Sequence, residues 1–270
     1  MTIGTMVSFR KDIEKGFREL KEFGLSYCQL SGGDESMYTD EMADRINEIT
    51  KKEGIKITTY WCGWPGPSVW DFYDGPLTLG LVPVEYRYAR VLALKKGSDF
   101  AVKIGVDQVA THAGFIPENP YDPNYMGVVI ALRDVASHCR RNNQKFLFET
   151  GQETPVTLRR VIEDMGVDGV GINLDPANLI LYGKANPVDA LDVFGEFVMD
   201  VHAKDGVYPV SGRKLGEEKA LGQGKVNFPA LIAKLKKLGF DGPITIEREI
   251  SGEQQRKDIL AAVELLKGLI

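Results

Sequence analysis

The sequence is poor in cysteine. Cys28, Cys62 and Cys139 are the three in 270 residues; their number is odd, their spacing is wide, and no CxxC occurs. These absences favour reduced thiols in a cytoplasm over a disulfide framework or a thiolate zinc finger. Excess positive charge is missing too. With 33 basic and 38 acidic side chains the formal net charge is −5, which argues against nucleic acid as a partner, because that requires a basic face. No run of about 20 apolar residues exists, so no membrane span is expected. Met1 to Arg10 leads straight into a strand-like pattern and leaves no room for a secretory signal. Low-complexity tracts and domain linkers are also lacking. Residues 1–270 therefore read as one domain, a length that an α/β barrel of about 250 residues would use.

What is present is an alternation. Short apolar, β-branched runs recur at Ile3–Phe9, Leu25–Leu30, Ile55–Trp61, Val106–His112, Lys145–Thr150, Gly169–Asp175, Phe197–Ala203 and Pro243–Arg248. Amphipathic stretches with helical spacing lie between them: Ile13, Phe17 and Leu20; Leu158, Val161, Ile162 and Met165; Leu231, Leu235 and Leu238; Ile259, Val263 and Leu266. Thr154 before Pro155 and Asn227 before Phe228 read as N-caps, and Ser251 with Gln254 has capping-box spacing. Gly24, Gly54, Gly166 and Gly239 stand where helices would end. Eight βα repeats with nearly continuous apolar strands imply a parallel sheet buried on both faces. No GxGxxG follows the first strand, which weakens the dinucleotide-binding open sheet. The expected fold is α/β, a single (β/α)8 TIM barrel. Two long connections, Cys62–Val84 and Ala113–Asn124, follow strands and are rich in proline and aromatics, as lids or interfaces are.

The ends of the last four strands are the most informative feature. They read Phe148-Glu149, Leu174-Asp175, Val201-His202 and Ile246-Glu247, each delivering one metal-competent side chain at the same relative position. In a barrel those strand ends are neighbours on the face where active sites sit. One acid at a strand end is more often a cap or a loop residue. Four in register on consecutive strands, including one of only three histidines, call for a common cause. Three carboxylates brought together out of water repel one another at a cost of several kcal/mol, and a divalent cation removes the conflict. Three oxygen donors and one nitrogen suit Mn²⁺, with Mg²⁺, Co²⁺ or Zn²⁺ also compatible.

The chain resembles the sugar phosphate isomerase/epimerase group of xylose-isomerase-like TIM barrels over nearly its whole length. The resemblance is carried by Phe148 to Pro155, Asn173 to Leu179, Val201 to Asp205, Gly222 to Phe228 and Ile244 to Glu247. It implies one divalent metal held by Glu149, Asp175, His202 and Glu247. In the ketose 3-epimerases of the group the two glutamates also act as acid/base catalysts on opposite faces of the substrate. Two positions depart from that pattern. Asn178 stands where those epimerases carry a histidine, and Tyr208 where they carry an arginine. Both of those partners handle substrate oxygens, so the resemblance gives the family and leaves the particular ketose open.

The chemistry expected is loss of a proton beside a metal-polarised carbonyl, giving an enediolate. Return of the proton to the opposite face gives epimerisation, and return to the neighbouring carbon gives aldose–ketose isomerisation. Expulsion of a β-hydroxyl gives dehydration, the lyase alternative for a keto-cyclitol or similar substrate. An abasic-site nuclease would need many more histidines than three, and a non-catalytic sugar binder would not need both glutamates.

Expected substrate contacts are His112, Glu153, Lys204, Trp61 and Asn178. Glu153 can equally favour a helix dipole, and Lys204 can equally pair with a nearby acid. Trp64 accompanies Trp61 at the start of a long loop, where aromatics cover sugars or fill interfaces. Gly222 and Gly224 offer amides for a phosphate or simply make a tight turn. His138, Arg248, Cys28 and Cys62 read as structural. The partner is a small sugar-like molecule, and a homodimer or homotetramer is expected, as is common for such barrels.

Overall fold

The computed structural model describes residues 1–270. Eight strands close into a barrel in which every neighbouring pair is parallel. They are β1 (Thr2–Ser8), β2 (Tyr27–Ser31), β3 (Lys56–Trp61), β4 (Gln108–Thr111), β5 (Lys145–Glu149), β6 (Val170–Leu174), β7 (Val198–Ala203) and, last in the chain, β10 (Pro243–Ile246). The order around the barrel is β1-β10-β7-β6-β5-β4-β3-β2. Strand β6 is buried at every position, as a strand covered by helices outside and side chains inside must be. All eight apolar runs of the sequence became barrel strands, trimmed by one or two residues at most ends.

Helices α1 (Ile13–Glu22), α2 (Asp40–Glu53), α3 (Gly75–Thr78), α4 (Val84–Lys103), α5 (Tyr125–Arg141), α6 (Pro155–Met165), α7 (Pro176–Leu181), α8 (Pro187–Phe194), α9 (Phe228–Lys237) and α10 (Glu253–Lys267) occupy the connections. The apolar stripes face inward: Ile13, Phe17 and Leu20 of α1 and Leu158, Val161, Ile162 and Met165 of α6 are buried. Thr154 caps α6 by accepting from the Thr157 amide at 3.3 Å, and Asn227 caps α9 by accepting from Ala230 at 3.4 Å. Gly24, Gly54, Gly166 and Gly239 all carry positive φ.

Three local features differ from expectation. The cap of α10 is Gly252, with no side-chain hydrogen bond, and Gln254 instead donates to Asp258 at 2.7 Å. Leu238 closes the C-terminus of α9 half in solvent, 49% exposed, instead of joining its buried stripe. A short antiparallel pair, β8 (Asp205–Val207) with β9 (Glu217–Lys219), sits on the barrel mouth; three-residue strands are too short to leave a period in the sequence. The loop from Cys62 to Pro83 is gathered around Arg90 of α4. This arginine is fully buried and donates to the carbonyls of Pro65, Gly80 and Pro67 at 3.1, 2.7 and 2.8 Å.

Candidate metal centre

The four strand-end residues converge. Glu149 is the last residue of β5, Asp175 follows β6, His202 is the penultimate residue of β7, and Glu247 follows β10. Each offers one donor atom, and these four atoms lie within 4.8 Å of one another. His202 Nδ1 stands 3.1 Å from Glu247 Oε2, 3.4 Å from Glu149 Oε1 and 3.9 Å from Asp175 Oδ2. Asp175 and His202 are fully buried. Asp175 Oδ2, His202 Nδ1 and Glu247 Oε2 have no hydrogen-bond partner, although an unpaired buried polar atom costs about 1–3 kcal/mol. Hard oxygen donors and an imidazole nitrogen, aimed at a shared point and left unsatisfied, fit a divalent cation. Asp175 serves a second purpose: its other oxygen, Oδ1, accepts from the Asn178 amide at 2.9 Å and starts α7.

The electrostatics follow from burial set against proximity. Burial works to raise the Glu149 carboxyl, but His112 and His202 outweigh it and hold its pKa well below the usual range. Burial likewise opposes the ionised Glu247, yet Lys204 and His202 bring it to about 2. His202 meets the same desolvation, which Glu149 and Glu247 overcome, so its pKa stands well above that of free imidazole. Lys204 is 2% exposed and lies 3.3 Å from Asp175 Oδ2, 3.3 Å from Glu247 Oε2 and 2.9 Å from Glu249 Oε1. Burial alone would discharge it; the three carboxylates raise its pKa well above normal.

A cavity of 640 Å³ opens over the cluster, and Glu149, Glu247, His112, Trp61 and Asn178 line it. His112 Nε2 is 3.2 Å from Glu149 Oε1, Asn178 Nδ2 donates to the same oxygen at 3.4 Å, and Trp61 Nε1 donates to Oε2. Of the residues expected to meet substrate, Glu153 and Lys204 stand apart from this wall. Lys204 faces the cluster's acids, and Glu153 is buried with both oxygens unpartnered, its carboxyl pushed up by burial to about 7. Tyr208 points elsewhere and donates to Ala185 O at 3.3 Å.

The amides of Gly222 and Gly224 are already taken. Both donate to Asp205 Oδ2, at 3.0 and 2.9 Å, while Val226 and Gly206 donate to Oδ1 at 3.1 and 2.8 Å. A Cβ on Gly224 would lie 2.0 Å from Asp205 Oδ1, so only glycine lets this loop wrap its own internal anion. Arg248 is turned away from the site, bound to Glu218 and Asp258. His138 pairs with Asp99. Cys28 and Cys62 are fully buried thiols that burial pushes up to about 12.

Sequence reasoning missed two groups. Trp70, from the middle of the long loop, lines the cavity and meets His112 edge-on at 5.0 Å. Beneath the cluster, Gln29, Thr59, Asn173, Asp200 and Thr245 form a fully buried polar layer across the barrel. The available signal for Asp200 was its position two before His202 on one strand, which places both on the same face.

With this geometry in place, the family becomes decidable. The family described as xylose isomerase-like TIM barrel matches residues 17–269. The chain belongs to it. A crystal structure of a xylose isomerase domain protein from Planctomyces limnophilus shares 36% identity and a TM-score of 0.94, covering 99% of this chain and 96% of that one. A D-tagatose 3-epimerase-like protein reaches a TM-score of 0.77 at 20% identity, over 100% of this chain and 97% of that one; at that identity the likeness is one of fold. An uncharacterised protein of Methanocaldococcus jannaschii is 26% identical over 188 residues, 64% of this chain, and the chain spans 62% of that relative's length. Other structures of this fold carry the names of ketose 3-epimerases and of a probable dehydratase. No helix is long and apolar enough to cross a membrane.

Proposed function

We propose that this chain is a divalent-metal-dependent isomerase or epimerase of a small sugar or related polyhydroxy ketone, working through an enediolate. One observation carries the reading: Glu149 and Glu247 belong to the four-residue donor cluster and also line the cavity above it. Glu149, Asp175, His202 and Glu247 would hold the ion, and Mn²⁺ suits three oxygens and one nitrogen best. When bound, the ion supplies Lewis-acid polarisation of the substrate carbonyl.

The protein's own groups do the rest. One of the two glutamates takes the proton from the carbon beside the carbonyl, and the other delivers a proton to the opposite face. In the free protein both are held ionised by their neighbours, so the glutamate that delivers must first take a proton from solvent, and the one that abstracts gives its proton back to solvent after turnover. Trp61, His112 and Asn178 fix the Glu149 carboxylate through hydrogen bonds and charge. Trp61 and Trp70 offer apolar faces for the C–H side of a sugar. Nothing at Gly222–Gly224 selects a phosphate, since Asp205 fills that cradle.

The test is proton NMR in D₂O on a panel of ketoses and keto-cyclitols with the Mn²⁺-loaded protein. Deuterium should enter at the carbon next to the carbonyl of a turned-over substrate. Glu149→Gln and Glu247→Gln should each cut turnover by about 100-fold or more while keeping the circular dichroism of the parent. Near-normal activity in either variant would end the two-base mechanism. Loss of water with a growing enone absorbance would assign the same residues to dehydration.

The reading extends to assembly and compartment. Val84, Tyr88 and Leu92 are exposed at four-residue intervals on α4, and Met126 and Ile130 are exposed on the adjacent α5. Such an apolar face supports a homo-oligomer, and sedimentation equilibrium should return a dimer or tetramer mass. Three free, buried thiols support a reducing compartment such as the cytoplasm.

A further inference from the structure

Below the cluster the barrel interior holds a chain of hydrogen bonds that ends on the far nitrogen of His202. Gln29, in the middle of β2, and Asp200, on β7, are both fully buried. Asp200 Oδ2 accepts from Thr59 Oγ1 at 2.6 Å and from Gln29 Nε2 at 3.1 Å. Its Oδ1 accepts from the Val201 amide at 2.8 Å and from Thr245 Oγ1 at 3.4 Å. The carboxylate is therefore surrounded by donors, and it fixes which way the Gln29 amide faces. Turned over, that amide would set its oxygen against the Asp200 oxygen, acceptor against acceptor.

With its NH₂ committed to Asp200, Gln29 presents its carbonyl Oε1 to His202 Nε2 at 2.8 Å. A carbonyl only accepts, so Nε2 carries the proton. When a cation takes the place of any proton on Nδ1, the neutral ring keeps its one proton on Nε2, and the Nδ1 lone pair faces Glu149, Asp175 and Glu247. Asn173 sets its Nδ2 2.9 Å from the same Nε2 and accepts from Gln29 Nε2 on its Oδ1 at 3.5 Å; reversing that amide gives Nε2–H a second acceptor and gives up only the longer contact with Gln29.

We propose that Gln29, oriented by Asp200 and Thr59, is a positioning residue that selects the Nε2–H tautomer of His202 and so sets the affinity of the cluster for a divalent cation. The inference rests on the metal-centre reading above, and it assigns a role to residues that touch neither the cavity nor the donor point. It accounts for a polar layer in a barrel interior that would ordinarily be filled with branched apolar side chains.

The test compares wild type with Gln29→Met, which keeps the length and removes the acceptor, and with a double variant that combines Gln29→Glu and Asp200→Asn. In the double variant the carboxylate introduced at position 29 accepts from Nε2–H. The amide introduced at position 200 sets its NH₂ where Oδ2 was and donates to that carboxylate, so the chain is rebuilt with its charge moved from one partner to the other. Mn²⁺ affinity is read by competition with a chelating indicator near neutral pH, and folding by circular dichroism without metal. Gln29→Met should lose about 10- to 100-fold in affinity, the usual effect of removing a partner behind a ligating histidine. The double variant should recover most of that loss.

An affinity in Gln29→Met equal to wild type overturns the proposal, as does a double variant no better than Gln29→Met. Should Gln29→Met fail to fold, the double variant decides alone: near-wild-type affinity supports the relay, and a loss of the full size overturns it. Nitrogen-15 spectra of the Zn²⁺-loaded wild type give a check that packing alone would not move. His202 should show Nε2 protonated and Nδ1 bound, and the reverse assignment overturns the proposal. Wild type that takes up no divalent cation would bring down the metal-centre reading as well, whereas normal wild-type binding with an indifferent Gln29→Met removes only the relay.

Discussion

Glu153 is a carboxyl that has lost its water and gained no partner. It is 2% exposed, both oxygens are unpaired, and burial raises its pKa from 4.5 to about 7. A raised pKa means the folded state prefers the protonated acid. The stability linked to Glu153 is fully present below pH 4.5 and is lost as pH rises towards 7. Glu153→Gln cannot ionise and escapes that loss. Between about pH 4.5 and 8 the metal-free wild type should therefore lose up to roughly 3 kcal/mol relative to the variant, measured by urea unfolding in EDTA at both pH values. Parallel pH curves would show that Glu153 stays solvated. The four donors were readable from sequence because an acid or histidine ending an apolar run is chemically out of place. Gln29 was not, since a polar side chain inside a strand looks the same whether it faces a helix, water or the barrel axis, and Asp200 was marked only by its spacing of two from His202.

At the scale of elements, the strands were readable and the connections only partly so. Apolar runs mark buried strands whatever follows them, which is why all eight were found. The shape of the Cys62–Pro83 loop depends on Arg90, a residue far along the chain from the Pro65 and Pro67 carbonyls it binds, and nothing local announces that. Its guanidinium meets three loop carbonyls and lies over the rings of Trp64 and Tyr86, at 5.4 and 4.9 Å. Arg90→Met should leave those carbonyls unpaired and loosen the loop that carries Trp64 and Trp70. KM for the substrate should rise about tenfold, with Mn²⁺ affinity unchanged, in steady-state assays paired with chelator competition. An unchanged KM would show that the loop keeps its shape without the arginine. The Gly222–Gly224 turn was similarly ambiguous in sequence. Which anion its amides hold depends on Asp205, whose distance in space the spacing of 17 residues does not reveal.

At the scale of the whole molecule, closure of the barrel is what turns a pattern into a site. Glu149 and Glu247 lie on strands far apart in the chain, and they meet because β10 pairs with both β1 and β7. Barrel closure followed from counting βα repeats and from the absence of a dinucleotide fingerprint, so the fold and its four-residue cluster were legible together. A cluster held open for a cation should tie overall stability to that cation. Mn²⁺ at about 100 times its Kd should add about 2.7 kcal/mol, and EDTA should lower Tm by roughly 5–10 °C, as scanning calorimetry would register. A Tm indifferent to Mn²⁺ would mean that the carboxylates settle their repulsion through His202 and Lys204 alone.

The two halves of the chain divide the labour. Every member of the donor cluster lies on β5 or later, whereas Met6, Phe9, Trp61, Trp70 and His112 of the cavity wall come before α5, and Asn178, Leu181, Tyr182 and Leu215 complete that wall from the rear half. On the proposed reading, the donor set and the front part of the ligand-shaping wall can therefore be inherited separately. A graft that replaced the front half of the barrel with that of a distant cousin would place the same reaction in a new mould, provided the graft brought equivalents of Gln29 and Thr59 to steady the imidazole from across the stave ring.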